Sequence, residues 1–206
     1  MNIARYNRAL AALLSLVVLP PLTAAAQNGG LAIGSPLAMG EHSLSGADDQ
    51  DRRLQDLRGA RGTVLVFWSN NCPWVDKNEE RLLQVVQEFT PRGFAFALIN
   101  ANDPIAFPEE SLQASIERAS RSGYAMPYLR DEGSQLARTL GASRTPHVFV
   151  LDADNALSYS GALDDSPGDP SNVQSRYLVE ALTAVLDGRP VPTAQTKAFG
   201  CTIRFE

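Results

Sequence analysis

Only two cysteines and two histidines occur in 206 residues. Cys72 and Cys201 are distant from each other and from His42 and His147, so no metal site is expected. A glycine-rich phosphate loop is missing, and no nucleotide, flavin or other cofactor is implied. Runs of Lys and Arg are absent and the formal charge is −5, which argues against nucleic acid as a partner. The apolar stretch from Ala9 to Leu19 is too short to span a bilayer comfortably. What remains is an ordinary soluble composition, 44% apolar and 20% charged, at a length that suits one domain.

The first 26 residues read as a signal peptide. Arg5 and Arg8 form a positive start, Ala9 to Leu19 the apolar centre, and Ala24-Ala25-Ala26 the small residues before cleavage. Cutting after Ala26 removes two arginines and no acids, which takes the formal charge from −5 to −7. No membrane span is then expected. The expected location is outside the cytoplasm, in a periplasm-type space where two thiols can pair.

Residues 27 to 62 suggest short strands or a hairpin. Thr63 to Trp68 is apolar and β-branched without alternation, the pattern of a strand buried on both faces. Ser69-Asn70-Asn71-Cys72-Pro73 then reads as a turn into a helix. Leu82, Val85, Val86 and Phe89 mark one face of that helix, and Pro73 suits its first position. Phe94 to Ile99 is a second buried strand, and a parallel pairing with the first is the default.

After a loop at 100 to 108, Ser111 caps a helix to Ser122. Tyr128 to Asp131 suggests a short strand and Ser134 to Leu140 a short helix stopped by Gly141. His147 to Leu151 and Leu157 to Ser160 are further strands, with His147 expected to point outward. The Asp/Pro/Gly/Ser-rich segment 164 to 172 reads as a solvated loop, Asp164 and Asp165 included. Tyr177 to Leu186 is a last helix ended by Gly188, followed by a tail, 189 to 206, carrying Cys201. The order is an α/β arrangement of three layers around a mixed central β-sheet, with an N-terminal extension and a helical insertion.

Cys72 carries the strongest chemical signal. A thiol between a buried strand and a helix sits where helix N–H groups converge, which favours thiolate. The same placement exposes the sulfur at the carboxyl edge of the sheet. The alternative is a buried, inert cysteine packed as a small apolar group. Thr145-Pro146 opens a strand, where proline is tolerated. A cis bond there lets the backbone approach the sulfur and offers a substrate peptide an edge to pair with. Trp68 and Trp74 suit either a groove wall or the core.

Phe67 to Val75, Asn100-Ala101-Asn102-Asp103, Pro108-Glu109-Glu110-Ser111, Pro127 to Glu132, Gly141 to Asp152, Gly161 to Asp165 and Phe199 to Ile203 together resemble a bacterial thioredoxin-like protein of the redoxin, AhpC/TSA-related type. The resemblance implies a thioredoxin-like fold over 27 to 188, with Cys72 at the start of the first helix and Pro146 as a cis-proline opposite it. Three positions depart from the thioredoxin pattern. Val75 stands where the second cysteine of C-x-x-C belongs, Ser69 where close relatives carry an earlier cysteine, and Val66 where thioredoxins bury an acid.

Cys201 is therefore the candidate second thiol. A redox pair with Cys72, a structural clamp on the tail and a free thiol in a mobile tail stay open. The leading expectation is a thiol–disulfide oxidoreductase with Cys72 and Cys201 catalytic. Thr145, Pro146, Trp74, Ser69 and Asn71 would contact a disulfide- or thiol-bearing protein or small molecule, and a redox partner protein would complete the cycle. The alternatives are a thiol peroxidase with Ser69 beside the sulfur, or a non-catalytic binding protein on the same scaffold.

Overall fold

The computed structural model describes residues 29–38, 40 and 42–206. The expected signal peptide lies outside the described residues. Among them, no helix is long and apolar enough to cross a membrane.

The N-terminal extension forms a hairpin of β1 (Ser43–Gly46) and β2 (Arg52–Arg53). The apolar run then builds β3 (Gly62–Phe67), buried at every position. Pro73 opens α1 (Pro73–Phe89), with Cys72 as its N-cap. β4 (Phe94–Asn100) follows and pairs parallel with β3. Next come α2 (Leu112–Ser122), β5 (Tyr128–Arg130) and α3 (Gln135–Leu140). The Ser111 hydroxyl accepts from the Ala114 N–H and caps α2 as the sequence suggests.

Two residues, β6 (Arg144–Thr145), precede the cis Thr145–Pro146 bond. β7 (His147–Asp152), β8 (Leu157–Gly161) and α4 (Tyr177–Leu186) complete the domain. The tail adds β9 (Cys201–Thr202).

The seven-stranded sheet runs β2-β1-β5-β4-β3-β7-β8, and β6 pairs with β9 apart from it. β3, β4 and β5 are parallel, while β7 lies antiparallel to β3. Alternate residues of the central strands feed two cores. Val64, Val66, Leu98, Val148 and Val150 meet Leu82, Val85 and Phe89 of α1 and Leu178 and Leu182 of α4. Leu65, Phe67, Ile99, Phe149 and Leu151 meet α3 and the N-terminal Leu37, Leu44 and Leu54. Both faces of the sheet are covered, which is why its strands read as continuous apolar runs.

Two expectations need correction. His147 does not point outward: it is buried, with Nε2 3.2 Å from the Ser160 hydroxyl and Nδ1 accepting from the Ser143 N–H. Burial lowers its pKa to about 4. Asp164 is not solvated, because Arg81 reaches across from α1 to pair with it at 3.0 Å. Burial raises the pKa of Asp164, and Arg81 works against that rise. Of the two placements open to Trp68 the core is the one it takes: it is fully buried and donates its indole N–H to Tyr124.

Candidate functional site

The turn between β3 and α1 is held from behind by Glu110. This buried carboxylate accepts from the Ser69 hydroxyl (2.5 Å), the Asn70 N–H (2.9 Å), the Asn71 N–H (3.3 Å) and the Asn100 side chain (2.9 Å). An ionised carboxylate accepts only, and four donors suit it. Arg118 donates to the Asn70 carbonyl and Tyr128 to its amide oxygen. The approach to Cys72 is thus fixed by side chains of the helical insertion and β5.

Cys72 is 1% exposed. Its S–H donates to the Thr145 carbonyl at 3.1 Å. The sulfur expected to be exposed is thus buried, and the C-terminal tail is docked beside it. β9 pairs antiparallel with β6, placing Cys201 opposite Thr145 and Thr202 opposite Arg144. The edge expected to await a substrate peptide is filled by the chain itself.

Gly200 makes this approach feasible. Its φ is +154°, and a Cβ there would lie 2.0 Å from the Thr145 carbonyl oxygen. Beyond it, the Ile203 N–H donates to the Ser143 carbonyl, the Arg204 N–H to the Asn102 side chain, and Glu206 pairs with Arg130. Ile203 is buried in the core under α3. Before it, Phe199 packs edge-on against Trp74 with ring centroids 4.6 Å apart. Trp74 therefore touches the tail.

Both cysteines are free thiols. The Cys201 thiol has its pKa pushed up to about 11, first by burial and then by the neighbouring Cys72 sulfur. The Trp74 backbone at the start of α1 lies near enough to work against that rise. The Cys72 side chain makes no capping bond to its own helix.

A cavity of about 320 Å³ opens beside Cys201, walled by Ser69, Asn71, Glu110, Thr145 and Thr202. Glu109 and Arg204 flank it, with Arg204 stacked 4.0 Å over the Phe107 ring. Cys72 is not on this wall. Among the described residues no cluster of His, Cys, Asp or Glu could hold a metal ion.

The structure thus brings together Cys72, Cys201, Thr145, Pro146, Ser69 and Asn71, with Trp74 under the tail. Sequence reasoning missed Glu110: it lay within a matched segment, but nothing in Pro108-Glu109-Glu110 marks one acid as buried.

No curated protein matches the chain. Among solved structures, an uncharacterized conserved protein from Geobacillus kaustophilus is 33% identical, with a TM-score of 0.79 over 85% of this chain and 93% of that one. A putative thiol:disulfide interchange protein DsbE from Chlorobium tepidum is 17% identical, with a TM-score of 0.60 over 76% of this chain and 99% of that one. A peroxidoxin BcpB from Mycobacterium tuberculosis is 18% identical, with a TM-score of 0.57 over 77% and 97%. The last two show the thioredoxin-like fold. The AhpC/TSA family profile covers residues 38–160, from the N-terminal hairpin through the Cys72 turn and the cis-proline to β8, and the chain belongs to that family.

Proposed function

We infer that the protein is an exported thiol–disulfide oxidoreductase whose redox couple is Cys72 with Cys201. One observation carries this reading: β9 holds Cys201 opposite Thr145, and the carbonyl of Thr145 takes the S–H of Cys72. Two thiols from opposite halves of the chain are thereby neighbours, in place of a local C-x-x-C. Oxidation of the pair forms one S–S bond and delivers two electrons and two protons to a substrate disulfide, which breaks into two thiols. The leader-like N-terminus supports export to a compartment where such a couple cycles.

The peroxidase alternative finds less support. The Ser69 hydroxyl is engaged with Glu110, and the Cys72 sulfur is buried. A peroxide would meet neither a free hydroxyl nor an open thiol.

The test is equilibration of the reduced protein in thiol–disulfide buffers of graded ratio, read by intact mass. The expected result is loss of two hydrogens at a defined ratio, abolished by Cys72→Ser or Cys201→Ser. If no intramolecular disulfide forms at any ratio, the redox-couple reading fails and a binding scaffold is left.

A further inference from the structure

We propose that the substrate sulfur meets Cys201 rather than Cys72, and that the substrate is a small zwitterionic thiol or disulfide of the cysteine–cystine type, not a polypeptide. This rests on the Cys72–Cys201 redox reading.

A polypeptide substrate would need the backbone edge of β6, and β9 already fills it. The tail is fastened on both sides of Cys201, by Phe199 on Trp74 before it and by Ile203 and Glu206 after it. Peptide access would require undocking all of these. Cys201, by contrast, is half-buried and forms part of the cavity wall.

That cavity, at about 320 Å³, is at the small end of ligand pockets, which run from ~300 to ~1,000 Å³. Its rim offers one exposed carboxylate, Glu109, and one exposed guanidinium, Arg204. An α-amino and an α-carboxylate group on one small molecule match this pair. Glu110 also lines the cavity, with its carboxylate oxygens held by four neutral donors.

The chemistry closes without a further reagent. In the oxidised protein, a thiolate RS⁻ attacks the Cys201 sulfur. The Cys201–SR bond forms, the Cys201–Cys72 bond breaks, and Cys72 leaves with the electron pair and takes a proton. A second RS⁻ attacks the R sulfur, forming RSSR and releasing Cys201, which is protonated in turn. Two small thiols are oxidised while one protein disulfide is reduced. The reverse reaction passes through the same mixed disulfide on Cys201.

The experiment compares reduced Cys72→Ser and Cys201→Ser proteins treated with cystine at mildly alkaline pH, with adducts followed by intact mass. Cys201 in the first is expected to take cysteine at least tenfold faster than Cys72 in the second. Equal rates, or a faster Cys72, overturn the assignment. Arg204→Gln should slow the cystine reaction several-fold and leave neutral hydroxyethyl disulfide unaffected; equal slowing of both overturns the zwitterion claim. Wild-type protein should reduce insulin far more slowly than cystine, and Gly200→Val, which drives a side chain into the Thr145 carbonyl, should speed insulin reduction. Insulin reduced as fast as cystine by the wild type rules out the tail as a barrier. If the wild type closes its internal disulfide while adducts map to Cys72, only this inference fails. If it never closes, the redox reading fails with it.

Discussion

His147 shows how one buried side chain sets a pH window for the whole domain. It follows the cis-proline and faces Ser143 and Ser160 rather than water. Its pKa falls from 6.5 to about 4 because burial penalises the charged ring. Above pH 6.5 both folded and unfolded chains keep the ring neutral, and nothing is lost. As pH falls from 6.5 towards 4, the unfolded chain binds a proton that the folded chain refuses, so stability drops through that interval. The total is about 3 kcal/mol at 1.36 kcal/mol per pKa unit. Urea midpoints at pH 7 and pH 4.5 should differ less in His147→Gln than in the wild type. An undiminished difference would assign the acid sensitivity to other groups. The sequence hid this residue because a histidine beside a proline at a strand start looks like a surface position. Glu110 was hidden likewise: a carboxylate in a loop reads as solvated unless its four donors, drawn from residues 69 to 100, are known to converge.

At the scale of elements, the central strands and helices were legible because burial on both sheet faces leaves long apolar runs, and the helical faces repeat at 3.6 residues. The role of β9 was not. Two residues of strand carry no periodic signal, and their partner lies more than fifty positions away in β6. The sequence left the tail open between redox pair, clamp and mobile end. The tail is docked through β9, Ile203 and Glu206, with Cys201 opposite Thr145. Ile203 is the position that fixes it, with 3% exposure in the core under α3. Ile203→Ala should cost about 2–4 kcal/mol, the usual range for emptying a buried aliphatic site. If the loss frees the tail, Cys72 should react faster with iodoacetamide, measured in a Cys201→Ser background to leave a single thiol. A lower melting temperature with unchanged Cys72 labelling would show that the tail stabilises the domain without covering the thiol.

Across the whole molecule, the two cysteines join the start of α1 to the last strand, so their bond would close a loop of most of the domain. In the chain-entropy picture a loop of that size stabilises the fold by about 4–5 kcal/mol through the unfolded state. The same free energy appears in the redox equilibrium. If the disulfide stabilises the fold, the fold stabilises the disulfide, and about 1.4 kcal/mol corresponds to about 30 mV for a two-electron couple. If Cys72 and Cys201 pair as proposed, the docked tail would favour a strongly reducing couple, an electron donor to small disulfides more than an oxidant of thiols. The oxidised protein is expected to unfold at a higher urea concentration than the reduced protein, and Cys201→Ser should show no such dependence on reductant. A reduced form equal to or more stable than the oxidised one would mean that closing the bond strains the native tail. The couple would then be oxidising, and electrons would flow from small thiols into the protein.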